Sequence, residues 1–278
     1  VKIQFYCPRW GSEHLSWELF TQKVKQSGYD GVEFNFPLGN QAEVDVLLQA
    51  LQHRGLELIG LHGDTVTPDF SRHREEFQAR LSRIAAVRPR FINSHTGRDW
   101  FLPEQNKELL ALAKEISART GVPIYHETHR SKFSFAASVT AQFLKDDPDL
   151  RLVADFSHWC NVSESLLEDQ ATSLALAIER SDHIHARVGH SQGPQVTDPR
   201  APEWAQALAA HLRWWDSIVA CHRARGTPVL TVTPEFGPLP YMPSLPHTNV
   251  PVANQWEINV HMMNLLKARW SQPVEGAS

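Results

Sequence analysis

The chain has 278 residues, 42% of them hydrophobic and 21% charged, with a formal net charge of −4. This is the composition of a globular protein with room for one large domain or two small ones, not of a disordered or fibrous chain. A slightly acidic chain lacks the positive field that holds polyanions, and no apolar run is long enough to span a bilayer, so neither nucleic acid nor a membrane is an expected partner.

Apolar runs and amphipathic stretches alternate from end to end. "IQFYC" (3–7) predicts a first strand and 15–28 a helix closed by Gly28. "GVEFNF" (31–36) is a second strand, followed by a helix over 41–55 closed by Gly55. "LELIGLH" (56–62) and a helix over 74–87 come next, then "RFINSH" (90–95) and a helix over 104–121. "VPIYHE" (122–127) precedes a helix over 133–146, and "LRLVAD" (150–155) precedes one over 165–179. "HIHARVG" (183–189), a long helix over 202–226, "VLTVTPE" (229–235) and a helix over 254–270 complete the pattern. Strict strand–helix alternation implies a parallel sheet, and eight units in this length imply a closed (β/α)8 TIM barrel, an α/β fold expected as a single domain over 1–278. The two longest irregular pieces, 189–201 and 236–251, both follow strands, on the side where such barrels place active sites.

Cys7, Cys160 and Cys221 are odd in number and far apart, which gives no disulfide framework and no Cys-x-x-Cys zinc pattern. No secretory leader pattern opens the chain, so a reducing, cytoplasmic setting is expected. Fifteen histidines make any bound metal one held by oxygen and imidazole.

The strand ends carry the chemistry. The third strand ends at His62, with Asp64 beyond it, the fourth at His95 and the fifth at Glu127. The sixth ends at Asp155, with His158 three residues on; the seventh carries His183, His185 and Arg187; the eighth ends at Glu235. A lone His or Glu at a strand end is most often the first solvated residue. Six consecutive tips of this type, converging in a barrel, point instead to one site. His126 and His129 are left as ordinary solvated or packing residues, as are His190, His211, His222 and His261; His183 is read as a deeper, hydrogen-bonded core histidine. Side chains alternate along a strand, so His126 is expected to face the helix layer, opposite to Glu127. Such an oxygen-rich ring with histidine suits one divalent ion, Mn²⁺, Mg²⁺ or Co²⁺ ahead of Zn²⁺. That ion polarises a carbonyl, and flanking carboxylates move a proton at the adjacent carbon.

The segments "SGYDGVEFN", "HETHR", "ADFSHW", "HIHARVG" and "TPEFG" resemble the xylose isomerase-like barrel superfamily, which includes sugar and sugar-phosphate isomerases and epimerases and the endonuclease IV enzymes. The resemblance covers nearly the whole chain. It implies Glu127, Asp155, His185 and Glu235 as metal ligands, with Glu127 and Glu235 as the acid–base pair of an enediolate mechanism. It further implies His158 and Arg187 as substrate contacts, to which His62, His95 and Trp10 are added as expected substrate-binding residues. Trp100, Phe36, Phe156 and Trp159 are further aromatic candidates for the wall of a sugar pocket.

The expected function is a metal-dependent sugar or sugar-phosphate isomerase or epimerase with a small carbohydrate substrate, in a monomer or homo-oligomer. The first alternative is a lyase or hydrolase acting on a keto-sugar or keto-glycoside in the same barrel. A DNA-repair nuclease is disfavoured, because Arg200 stands where the nuclease branch needs the histidine of an Asp-x-His after the seventh strand. A non-catalytic sugar-binding barrel would not bring the ring residues onto a common ion. Hydride-shifting isomerases need a lysine in the site, for which Lys132 is the nearby candidate. No glycine-rich phosphate grip follows the seventh or eighth strand, which favours an unphosphorylated sugar.

Overall fold

The computed structural model describes residues 1–36 and 40–271; the expectation of one domain over 1–278 extends outside them at both gaps. Eight parallel strands close in chain order into a barrel: β1 (Lys2–Pro8), β2 (Gly31–Asn35), β3 (Glu57–His62), β4 (Ile92–Ser94), β5 (Ile124–Glu127), β6 (Leu152–Ala154), β7 (Ser181–His185) and β8 (Val229–Thr233). The closing seam pairs β1 with β8, Gln4 opposite Thr231. Nine α-helices are described: α1 (Trp17–Gln26), α2 (Gln41–Arg54), α3 (Phe70–Ala86), α4 (Pro103–Thr120), α5 (Ala137–Asp146), α6 (Ser157–Ser163), α7 (Ala171–Arg180), α8 (Ala205–Ala224) and α9 (Gln255–Ser271). The chain is a single (β/α)8 barrel.

Local chemistry explains where the helices depart from the predicted bounds. Asp69 caps α3 by accepting from the Arg72 amide at 2.9 Å, so that helix starts at Phe70 rather than at 74. The helix expected over 165–179 begins only at Ala171, and α6 was not foreseen. At the start of α6 the Asp155 carboxylate accepts from the Ser157 amide at 3.2 Å, so a residue of the ring itself organises this turn. The long helix expected from 202 opens with a 3₁₀ turn over Pro202–Trp204.

Two apolar bodies set the site's depth. The larger lies between the barrel wall and the helices, with Phe20, Leu47, Phe77, Leu109 and Trp215 fully buried. The smaller is a separate plug inside the barrel, made of Tyr6, Ile59, Phe91 and Val153 with Tyr125 packed against it. Counting outward by twos from the level of this plug gives the inward-facing positions of six strands: Glu33 and Asn35, Leu61 and Gly63, Asn93 and His95, Glu127 and His129, His183 and His185, Thr233 and Glu235. Above an apolar floor, the inner wall therefore turns polar.

Candidate active site and metal centre

A cavity of about 450 Å³ opens at the carboxyl ends of the strands. Glu33, His95, Glu127, His129, Arg187 and Glu235 line it, with Trp10 and Tyr241 at its rim. The volume is that of an ordinary small-molecule site.

At its centre, ligand atoms of Glu127, Asp155, His185 and Glu235 all lie within 4.8 Å of one another, and all four residues are buried. His185 Nδ1 stands 2.9 Å from Glu235 Oε2 and 3.5 Å from Glu127 Oε2, so both carboxylates face it. A buried imidazole nitrogen among converging carboxylate oxygens is a donor set that fits a divalent cation. Asp155 is the most engaged of the four. One oxygen accepts from Ser157, and the other is paired with the Arg187 guanidinium. Oδ1 accepts from both the amide and the hydroxyl of Ser157, so with two lone pairs on each oxygen the room for an ion is on Oδ2.

The charges bear on one another strongly. Burial pushes Glu127 up, but His95 and His185 outweigh it and hold this carboxyl far below the usual range. His95 Nε2 is 2.9 Å from Glu127 Oε2, and the Asn93 amide donates to the same oxygen at 2.7 Å. Burial raises Asp155 to about 6 against the pull of Arg187, with Glu127 and Glu235 adding to the rise. Burial alone would lower His185, but Glu235, Glu33 and Glu127 hold it well above its ordinary value, so the metal-free ring carries a proton.

The loops that carry these groups are clamped. Asn259 of α9 accepts from the Phe236 amide at 2.8 Å and donates to the Phe236 carbonyl at 3.0 Å, which fixes the backbone beside Glu235. Gln195 does the same for Gly237, at 2.7 and 3.2 Å, so the long 189–201 loop braces the Glu235 loop. Gly237 must be glycine here, because a Cβ would lie 2.1 Å from the Trp10 ring. The indole can thus pack against the clamp while facing the cavity.

Several expected residues stand elsewhere. His62 points out of the barrel, because it falls on the opposite parity to the cavity-lining Leu61 and Gly63. Its ring meets Ser94 Oγ at 3.1 Å and Thr65 Oγ1 at 2.7 Å, and packs edge-on against Phe77 of α3. The expectation that it binds substrate is corrected. His158 is fully buried and does not line the cavity; its Nε2 lies 2.8 Å from Arg187 and its ring 3.9 Å from that of His129. It therefore packs against Arg187 and His129 behind the cavity lining. Trp100 is exposed, Phe36 is buried among the wall residues, and Phe156 stacks on Trp159 behind β6, so Trp10 is the one of these five aromatics on the cavity. Among the described residues no lysine lines the cavity. Lys132 is buried, and its Nζ has no hydrogen-bond partner. Asp198 and Arg200 form an exposed ion pair at 2.6 Å, outside the cavity.

Other residues escaped sequence reasoning. Glu33 lies in the middle of an apolar strand, and its inward parity was the available signal. Asn93 lies one layer below His95. His129, read as ordinary, shares the face of Glu127 two residues on and groups with His95 and Glu127 within 4.8 Å. Its Nδ1 pairs with the Arg130 carbonyl at 2.5 Å, and burial lowers its pKa well below the ordinary value. Tyr241, whose ring lies 4.8 Å under the Arg187 guanidinium, comes from a loop with no periodic signal. His126 faces the helix layer, as alternation requires, with Nδ1 2.7 Å from Thr96 Oγ1.

A family model described as a xylose isomerase-like TIM barrel matches residues 21–228. No curated protein matched the chain in a sequence search. Among solved structures, the chain is similar to the 3-keto-D-glucoside 4-epimerase of E. coli, with 14% identity and a TM-score of 0.64 over 96% of this chain and 100% of that one. It is similar to a D-allulose 3-epimerase from Methylomonas sp., solved with D-allulose, with 14% identity and a TM-score of 0.63 over 97% and 98%. It is also similar to a probable 3-DHS dehydratase of petrobactin synthesis from Bacillus anthracis, with 17% identity and a TM-score of 0.61 over 96% and 99%. At these identities the likeness is one of fold.

Proposed function

The chain belongs to the xylose isomerase-like TIM barrel family, and we propose that within it this protein is a metal-dependent isomerase or epimerase of a small unphosphorylated sugar. The observation that carries this reading is the convergence of ligand atoms from Glu127, Asp155, His185 and Glu235, all four buried and all within 4.8 Å of one another. These four residues would hold one divalent ion, Mn²⁺, Mg²⁺ or Co²⁺ by their oxygen content. When bound, the ion supplies Lewis-acid polarisation of a substrate carbonyl.

The remaining work falls to the protein. Glu127 is kept ionised by His95 and His185 and takes the proton from the carbon beside the carbonyl, giving an enediolate. Glu235, clamped at the tip of β8, returns a proton from the other side. Arg187 and His95 orient substrate oxygens, and Trp10 with Tyr241 covers an apolar sugar face at the rim. The lining charge favours a neutral substrate. Six carboxylates, Glu13, Glu33, Glu43, Asp64, Glu127 and Glu235, face two guanidinium groups, Arg9 and Arg187. Arg187 is already paired with Asp155, and a divalent ion does not reverse the excess. A phosphate would meet a repulsive wall. The same wall speaks against a nucleic-acid substrate, and no described helix is long and apolar enough to cross a membrane.

A second reading is lyase or hydrolase chemistry on a keto-sugar or keto-glycoside. His129 favours it. Its tautomer is set by the Arg130 carbonyl and its ring faces the cavity, which offers a neutral base that a two-carboxylate epimerase does not need. One experiment separates the readings. The metal-loaded protein is incubated in D₂O with a panel of ketoses and 3-keto-glycosides and followed by NMR. An epimerase or isomerase exchanges deuterium into the carbon beside the carbonyl and gives an isomer of equal mass otherwise. Loss of water or of an aglycone establishes the second reading, and turnover without deuterium uptake contradicts proton transfer with exchange.

A further inference from the structure

Glu33 is 3% exposed and sits inside the barrel directly beneath the four converging residues. A carboxylate in that position is costly to bury unless it is paired and hydrogen-bonded. Glu33 is both. Oε1 accepts from the Asn93 amide at 3.0 Å and from His185 Nε2 at 3.0 Å. Oε2 accepts from the Thr233 hydroxyl at 2.6 Å and again faces His185 Nε2 at 3.0 Å. Three donors therefore hold the two oxygens, the single His185 N–H being shared between them, and Glu33 is already committed to partners within the protein. Glu235, in contrast, meets only His185 and Arg187 and keeps free lone pairs toward the cavity.

The consequences reach two ligands. His185 has two ring nitrogens, and Glu33 takes the hydrogen on Nε2. The lone pair available to an ion is then on Nδ1, the nitrogen that faces Glu235 and Glu127. Asn93 spans the gap to the second ligand. One amide nitrogen donates both to Glu33, at 3.0 Å, and to Glu127 Oε2, at 2.7 Å. Its Oδ1 is left buried and unpartnered, a cost the arrangement carries in order to aim both N–H groups at carboxylates.

We propose that Glu33 is the positioning residue of the metal centre: it fixes the tautomer and tilt of His185 directly and the orientation of Glu127 through Asn93. This rests on the reading that Glu127, Asp155, His185 and Glu235 hold the ion. The group Glu33–His183–His185 also has ligand atoms within 4.8 Å of one another, but its carboxylate is already held by three protein donors.

The test is Co²⁺ affinity, measured by competition with a chelator, for the wild type, Glu33→Ala and Glu33→Gln. Loss of a carboxylate behind a metal-bound histidine costs about 10–100-fold in affinity. Glu33→Ala is expected in that range, and Glu33→Gln, which keeps one oxygen for the His185 N–H, between it and the wild type. A second readout is specific to orientation. The Co²⁺-loaded wild type should show a hyperfine-shifted, solvent-exchangeable proton from the His185 ring by NMR, lost in Glu33→Ala. If Glu33→Ala does not fold, as judged by circular dichroism, the Gln variant carries the test. A folded variant with wild-type affinity and an unchanged ring-proton signal overturns the role of Glu33. A wild type that binds no Co²⁺ overturns the metal-site reading beneath it.

Discussion

Glu235→Gln isolates proton transfer from metal binding. The substitution is isosteric and keeps one side-chain oxygen near His185 Nδ1, now 2.9 Å from Glu235 Oε2. It removes one negative charge from a buried group that also contains Glu33, Glu127 and Asp155 and that faces His185 and Arg187. The substitution also removes the charge that faces His185 and Arg187, so the melting temperature of the metal-free variant is measured beside the rate to separate lost activity from unfolding. General acid–base loss costs about 10²–10⁴ in rate, or roughly 3–5 kcal/mol of barrier. The assay is turnover and solvent-deuterium uptake on the best ketose of the panel, at metal concentrations that saturate each protein. A metal-saturated Glu235→Gln variant with near-wild-type rate would refute the acid–base role of Glu235. Retained deuterium exchange without net epimerisation would show that Glu127 still removes the proton and that only its return has failed.

Two further outcomes follow from the same structure. His126 and His211 are buried as neutral rings, each lowered by burial from 6.5 to about 4. The unfolded chain binds more protons there, so stability is full above pH 6.5 and falls as pH drops toward 4, by up to about 3 kcal/mol for each histidine; urea unfolding at several pH values should show this slope, and a flat profile would contradict it. The purified protein should not cut an abasic DNA duplex above background, since Arg200 is tied to Asp198 outside the cavity and the lining is acidic; efficient metal-dependent cleavage would overturn the sugar reading.

Much of this was legible in the sequence because two periodicities were clean. Strand–helix alternation gave the barrel, and the tips of β5, β6, β7 and β8 named residues that do converge. His62 misled because proximity to a strand end says nothing about side. The strand's parity, set by Ile59 on the barrel plug, sends it outward. His158 misled for another reason. Its segment forms the short helix α6, whose start is held by the Asp155 side chain, and this turns the imidazole behind Arg187. Glu33 and Asn93 were overlooked because they lie mid-strand, where a reading of strand tips does not look. Only a partner from across the barrel, His185 on β7, gives them meaning. Tyr241 and Gln195 come from irregular loops whose path depends on tertiary clamps, with no local pattern to announce it.

The central claim is that one divalent ion sits among Glu127, Asp155, His185 and Glu235. Crystals grown with Mn²⁺ and measured for anomalous scattering test it directly. The account predicts a single strong peak bounded by these four side chains, with His185 Nδ1 and carboxylate oxygens at about 2.0–2.3 Å. A peak at Glu33, His183 and His185, three peaks along the barrel mouth, or none at saturating Mn²⁺ would contradict it.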